Sequence, residues 1–153
     1  MELKVVTFVL NDQVFGVDIM KVESIVEPEK IRPIPESSDF IEGVMNLRGK
    51  IIPVVNLKKK FKMPDIRSER AKPKIIVTDV KSTLAGFLVD DVSEVITITE
   101  REMEEVPRNV GGIGKNYILG LAKVKGDILV ILNIEEVLSS DEKVELERIK
   151  NSV

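Results

Sequence analysis

FIEGVMNLRGKIIPVVNLKKKF, residues 40–61, returns 77 positions later as YILGLAKVKGDILVILNIEEVL, residues 117–138, with no gap between the two alignments. Five positions are identical: Ile41/Ile118, Gly43/Gly120, Gly49/Gly126, Ile51/Ile128 and Asn56/Asn133. Upstream, at an offset of 72, Phe15, Val17 and Asp18 fall over Phe87, Val89 and Asp90, and Pro35 over Pro107. A repeat of this length marks a duplicated structural unit. The chain is read as two halves on one plan, about residues 4–61 and 74–138.

The matched positions have physical reasons. Gly49 and Gly126 fall between apolar runs, where a hairpin turn needs the positive φ that glycine adopts freely. Asn56 and Asn133 precede LKKKF and IEEVL, where an asparagine side chain can cap a short helix. Working outward, Lys4 to Leu10 and Val14 to Asp18 flank Asn11-Asp12. Lys74 to Val80 and Leu84 to Val89 flank Lys81-Ser82-Thr83. Met45 to Leu47 meets Ile51 to Val55 across Arg48-Gly49-Lys50, and Leu121 to Val124 meets Ile128 to Leu132 across Lys125-Gly126-Asp127. All four pairs read as hairpins rich in β-branched residues. Pro53 lies inside one run, which places that strand at a sheet edge or on a bulge.

Each half holds about five short strands and one helical turn, the inventory of a small SH3-like barrel. The expected fold is all-β: two packed SH3-like five-stranded barrels from an internal duplication. They form one domain over residues 1–153, with strands open to exchange between the halves. The competing reading is one larger mixed sandwich. Beyond Leu138 the pattern changes. Ser139 and Glu142 form a capping box, Asp141 adds negative charge to the first turn, and Leu146, Ile149 and Val153 recur at helical spacing. A C-terminal amphipathic helix over residues 139–153 is expected.

Composition narrows the chemistry. With 153 residues and 43% apolar content, a core burying roughly 70% of the unfolded surface is within reach. There is no cysteine and no histidine. That excludes disulfides, thiolate metal sites and phosphohistidine, and the usual Ser-His and Cys-His nucleophile systems. The first residues, MELKVVTFVL, do not read as a signal peptide. The longest apolar run, Ile128 to Leu132, is far below the ~20 residues that span a bilayer. A cytoplasmic protein with no direct membrane insertion is expected. The charged fraction of 32% and the single glutamine lean towards a thermophilic source.

Candidate catalytic features do not assemble. Asp90 and Asp91 are adjacent, so on a strand they face opposite sides. Because Asp18 repeats Asp90, both read as structural residues at a strand end. Gly111-Gly112-Ile113-Gly114-Lys115 resembles a phosphate loop but lacks its first glycine, and Asn116 stands where a Ser or Thr would hold magnesium. Charge is segregated. Lys58 to Lys74 holds eight basic and two acidic residues, whereas Asp90 to Glu105 holds seven acidic residues and one arginine. Such runs usually form solvated faces. Phe61 is the one aromatic in the basic run, a poor platform for nucleic acid. No catalytic residue, metal site or cofactor is expected. An interaction module is the leading class.

The chain resembles the CheW family of chemotaxis coupling proteins from about Lys4 to Leu138. The resemblance is carried by FIEGVMNLRGKIIPVVNL, with its NLRG turn and I-P-V-V-N-L strand. FGVDIMKVESIV, GFLVDDVSEVI and GLAKVKGDILVILNIEEVL support it. It implies a non-catalytic adaptor that couples the CheA histidine kinase to the cytoplasmic tip of methyl-accepting receptors, or else a CheW-like regulatory domain excised from a larger kinase or fused adaptor. By motif position it implies a receptor side at Val22, Ile25, Gly43, Arg48, Gly86, Val92 and Val95. It implies a kinase side at Arg32, Ile34, Ile41 and Glu42, with a second kinase contact at Glu104 and Asn109. Arg48 is expected to pair with a nearby acid. Ser24 stands where some relatives carry that glutamate, and Glu23 is its neighbour.

Overall fold

The computed structural model describes residues 2–66, 68–80, 82–106, 109–110 and 113–153, with backbone alone at 109–110. The first half supplies β1 (Glu2–Leu10), β2 (Gln13–Asp18), β3 (Val22–Val26), β4 (Ile41–Leu47), β5 (Lys50–Asn56) and the short helix α1 (Leu57–Lys60). The second half supplies β6 (Lys74–Val80), β7 (Thr83–Val89), β8 (Asp91–Thr99), β9 (Met103–Glu104), β10 (Asn109–Val110), β11 (Ile113–Gly114), β12 (Ile118–Val124) and β13 (Asp127–Leu132), followed by α2 (Ser140–Ser152). The protein is therefore mostly β, with a C-terminal helix.

Four antiparallel hairpins form where the sequence places them, each through a two-residue turn. Leu10 pairs with Gln13, Leu47 with Lys50, Val80 with Thr83 and Val124 with Asp127. Asn11 and Asp12 have φ of 49° and 66°, Arg48 and Gly49 51° and 84°, and Lys125 and Gly126 52° and 82°. Two consecutive positive φ values match the right-handed twist of the flanking strands. Lys50, Thr83 and Asp127, read as turn residues, start the return strands instead.

The hairpins assemble into two principal sheets. One has the order β8-β1-β2-β13-β12-β9, the other β3-β6-β7-β5-β4, and β10-β11 is a small separate pair. Replacing each strand of the second sheet by its repeat counterpart reproduces the first five strands of the other. Each sheet holds one parallel pair, β2 with β13 and β7 with β5. Each also draws strands from both repeats: β1 and β2 join β8, β12 and β13, while β6 and β7 join β3, β4 and β5. The sixth strand has a counterpart too. β9 pairs with Leu121 and Ala122, and a lone bridge joins Arg32 to Val44.

The chain crosses between sheets at the two repeated aspartates. Asp18 accepts from the Met20 N–H at 2.9 Å and starts a 3-10 turn over Ile19–Lys21. Asp90 is buried, accepts from the Asn11 N–H at 2.9 Å and pairs with the Lys58 ammonium at 2.9 Å. Lys58 also meets Asp65 at 2.8 Å. Burial opposes the charge on Lys58, but the Asp65 and Asp90 carboxylates outweigh it and raise its pKa above the ordinary lysine value. Both aspartates are structural, as their repetition suggests. The basic run, however, does not form one solvated face, because its first lysine is buried.

Alternate residues of the same strands serve different cores. Val6, Phe8, Leu10, Phe15 and Val17 meet Val55, Ile76, Phe87 and Val89 in a central cluster between the sheets. Phe8 and Phe15 stack there at 5.7 Å. The opposite faces make smaller cores: Val5, Ile98, Ala122, Leu129 and Ile131 in one sheet, and Met45, Ile52, Val54, Ile75 and Val77 in the other. Burial on both faces explains the unbroken apolar run Leu129 to Leu132, whereas Ile128 before it is 50% exposed. Each fully buried Val, Ile or Phe contributes about 1.5–3 kcal/mol.

α2 begins at the expected capping box, with Ser139 and Glu142 satisfying each other's backbone N–H. Leu146 and Ile149 reach the central cluster. Val153, read as part of the same stripe, lies beyond the helix end and is 52% exposed. Polar contacts hold α2 as well: Glu142 with Lys60 at 2.6 Å, Glu145 with the Ser38 hydroxyl at 2.6 Å, and Glu147 with the Thr83 hydroxyl at 2.5 Å.

Two local expectations need correction. Of the two alternatives read for the Pro53 strand, edge or bulge, the edge fails, because β5 is an inner strand, while a register shift does lie in its pairing with β4, between Ile41 and Gly43. Its pairing with β7 starts only at Val54, so the Pro53 stretch is bordered by β4 alone and loses no bond to β7. Asn56 caps α1 through the Lys59 N–H, but the segment after Asn133 forms turns, and Glu136 N–H donates to the Asn133 backbone carbonyl at 2.9 Å. The phosphate-loop lookalike begins at Gly111-Gly112, and Pro107 closes one repeat match. These three residues lie outside the described set.

Candidate functional site

Arg48 stands at the tip of the β4–β5 hairpin, exposed, at a φ of 51°. Asn46 buttresses the turn by accepting from the Gly49 N–H at 2.9 Å. Its counterpart Lys125 occupies the same turn position and lies 3.5 Å from Glu94. Arg48 makes no ion pair among the described residues, with Glu23 or with any other acid. Ser24 sits on β3 with a buried hydroxyl that finds no partner among the described residues, as does Thr78 on β6. The arginine is thus presented to solvent with its full hydrogen-bonding capacity unused.

The two glycines in the receptor set have packing explanations. Gly43 has a φ of +147°, and a side chain there would run into the Arg32 carbonyl. That close approach permits the paired bonds between the Arg32 and Val44 backbones, at 2.8 and 2.9 Å. Gly86 is buried on β7, where a Cβ would lie 2.6 Å from the Ile75 methyl. Gly43 therefore belongs spatially with Arg32, Ile41 and Glu42, the residues read as the kinase side.

The remaining receptor-side residues lie on the outermost strands of the two sheets. Val22 and Ile25 are on β3, which among the described residues pairs with β6 alone, and Val92 and Val95 are on β8, which among them pairs with β1 alone. Val22 and Val92 are half-buried against the central cluster. Ile25 and Val95 are 39% and 53% exposed. Each edge thus offers backbone groups and one projecting aliphatic side chain.

On the kinase side, Arg32 is exposed, Ile34 half-buried and Ile41 buried. Glu42 is held by the Asn56 amide at 2.7 Å and by Lys59 at 3.1 Å. Glu104, on β9, lies 3.9 Å from Lys123. The Asn109 backbone pairs with Gly114, and its side chain lies outside the described set. At the 72-residue offset Arg32 falls over Glu104, so the two kinase-side regions are equivalent sheet margins with opposite charge.

Sequence reading missed the surroundings of the β4–β5 hairpin. A groove of about 400 Å³ lies between Glu29, Lys30, Arg32, Val44, Met45, Asn46, Ile51 and Val153. A second, of about 450 Å³, borders Gly49, Lys50, Ile51, Ser82, Leu84, Lys150 and Asn151. Lys150 and Val153, about 100 residues downstream of the hairpin in sequence, gave no signal, because only the docking of α2 brings them there. Among the described residues no cluster of three or more acidic side chains is placed to hold a metal, and no helix is long and apolar enough to cross a membrane.

The CheW-like domain family matches residues 4–142. The chemotaxis protein CheW of Thermotoga maritima is 38% identical over 138 residues, covering 90% of this chain and 88% of that protein. That of Treponema pallidum is 32% identical over 144 residues, covering 92% and 85%. The crystal structure of the scaffolding protein TtCheW from Thermoanaerobacter tengcongensis superposes with a TM-score of 0.83 at 36% identity, covering 93% of this chain and 91% of that one.

Proposed function

The chain belongs to the CheW-like domain family and is a non-catalytic chemotaxis scaffold; from that premise we propose which surfaces it uses and for whom. It couples the regulatory domain of the CheA histidine kinase to the cytoplasmic tip of methyl-accepting chemoreceptors by binding both at once. It works in the cytoplasm and reaches the membrane through its partners. The five repeated strands of each principal sheet, with a small core on one face, curl into an SH3-like five-stranded barrel, and the whole chain is one domain of two such units.

The observation that carries the surface assignment is Arg48, an exposed arginine without an ion pair among the described residues. It stands at a turn position where Asn or Gly would be less strained. With the β3 and β8 edges (Val22, Ile25, Val92, Val95) and Gly86, which fixes the neighbouring backbone, it forms the receptor side, whereas Gly43 packs against Arg32 and goes with the kinase side. Arg32, Ile34, Ile41 and Glu42 form the kinase side, and Glu104 and Asn109 the second kinase contact. Two partners held on one scaffold raise each other's local concentration, which lets receptor state bias the kinase.

Co-sedimentation with receptor tips tests this. Arg48→Ala is expected to reduce receptor capture while the melting curve stays near that of the parent. Paired reversal, Arg32→Glu with Glu42→Lys, is expected to impair kinase capture more than receptor capture. Unchanged receptor capture in the first variant, or equal losses in the second, would remove the respective assignment.

A further inference from the structure

Among the described residues, Lys58 and Asp90 are the only charged ones that are buried. Their ammonium and carboxylate lie 2.9 Å apart, with side chains 8% and 6% exposed. Taking two charges out of water is costly, and an apolar pair of similar volume would usually serve stability as well or better. The best-attested use of a buried ion pair is to fix one arrangement among several.

The arrangement at stake is the passage between the sheets. Among the described residues the chain crosses from one principal sheet to the other twice, after β2 at Asp18 and after β7 at Asp90. The strands that open after these crossings, β3 and β8, are the two receptor edges. The crossings are equivalent in the repeat but are held differently. At the first, Asp18 caps the Met20 N–H. Glu135, which the 77-residue offset sets over Lys58, meets Lys21 there at 2.7 Å, with side chains 33% and 44% exposed. At the second, Asp90 donates its N–H to the Val9 carbonyl at 3.0 Å and accepts from the Asn11 N–H at 2.9 Å, both in the β1–β2 hairpin of one sheet. Its other carboxylate oxygen takes Lys58 of α1, which continues β5 of the other sheet. The Asn11 amide also donates to the Pro64 carbonyl at 2.6 Å, and Lys58 reaches Asp65 at 2.8 Å, so the segment after α1 closes the circuit.

We propose that the buried Lys58–Asp90 pair is a positioning device for the β8 edge. It ties the start of β8 to both sheets, so that Val92 and Val95 are held at one set separation from Val22 and Ile25 on β3. This deepens the proposed receptor side and rests on it. Lys58 and Asp90 need touch no receptor, since they act through the strand that follows them. The Lys21–Glu135 pair at the other crossing contributes little, because solvent screens it.

The chain has no cysteine, so Glu23→Cys on β3 and Thr97→Cys on β8, both at exposed positions, can carry one spin label each. Pulsed dipolar spectroscopy on the full-length chain then reads the spread of distances between the two edges, and capture is measured on the unlabelled chains. The parent is expected to give a single narrow distribution; a broad or divided one overturns the proposal without any change at the pair. Lys58→Met with Asp90→Asn removes both charges, nearly keeps the volume and leaves the Asn11 N–H an acceptor. This variant is expected to broaden the distribution and to weaken receptor-tip capture about fivefold, as when about a fifth of the molecules hold the competent separation. Its kinase capture is expected to match the parent. Glu135→Gln is expected to match the parent in all three readouts. A lowered melting temperature in the pair variant, with distances and receptor capture unchanged, would make the pair a stabiliser only and overturn the inference. Equal broadening in Glu135→Gln would overturn it too. Val95→Asp, with the pair intact, tests the underlying reading. If it loses receptor capture that the pair variant retains, the positioning inference alone falls; if it binds receptor normally, the β8 assignment falls with it.

Discussion

Arg48 and Gly43 lie five residues apart and obey opposite logic. Arg48 adopts a left-handed φ of 51° although its side chain gains no ion pair among the described residues in return. Arg48→Asn is therefore expected to keep stability or raise it by up to ~1 kcal/mol, because asparagine tolerates this conformation better. The same variant is expected to lose receptor capture. Thermal melting alongside co-sedimentation checks both, and a destabilised variant that still binds receptor would contradict the reading. Gly43 is the reverse case. Its φ of +147° and its closeness to the Arg32 carbonyl leave no room for a Cβ. Gly43→Ala is expected to cost at least about 1–3 kcal/mol in chemical denaturation and to disturb the Arg32 bridge. It is thus a poor probe of binding, because any loss would be confounded with folding.

Among the elements, α2 depends most on charge. Burial raises the Glu142 pKa, but the Lys60 ammonium and the Ser139 N–H and hydroxyl outweigh this and bring it below the ordinary carboxylate value. A carboxylate with a depressed folded pKa stabilises the fold above its unfolded value, and that contribution is lost as pH falls through the folded one. Docking of α2 should accordingly hold at neutral pH and weaken below about pH 4.5. Amide exchange over residues 140–152 during acid titration reads this directly. Glu142→Gln should remove part of the pH dependence, and the partial exposure of the pair keeps the effect small. Exchange in the parent chain that does not change with pH across that range would show that Leu146 and Ile149 alone hold the helix.

How much could be read beforehand follows the range of the interaction. The hairpins and the α2 capping box were legible, because turn residues and caps act within a few positions. The repeat revealed that two units share one plan. It could not reveal which sheet each hairpin joins, because identical apolar patterns pair equally well within a half or across halves. The edge alternative for Pro53 failed for a related reason. Its rule concerns local backbone bonding, and β5 gains its second neighbour one residue later. Lys58 reads like Lys59 and Lys60 until folding brings Asp90 from 32 positions away to bury it. The Arg48 turn and the Arg32–Gly43 margin stood out in sequence, whereas Lys150 and Val153 depend on where α2 docks.

At the scale of the whole molecule, two sheets share a central core and leave their outer strands open. No reactive group is assigned to these edges, so the account stands or falls on simultaneous occupancy. The most direct measurement is a pull-down of this chain with the kinase regulatory domain and a receptor tip, each alone and then together. The account predicts a ternary complex in which neither partner displaces the other, with Arg48→Ala releasing receptor and retaining kinase. Mutually exclusive binding, or loss of both partners from that one substitution, would contradict it.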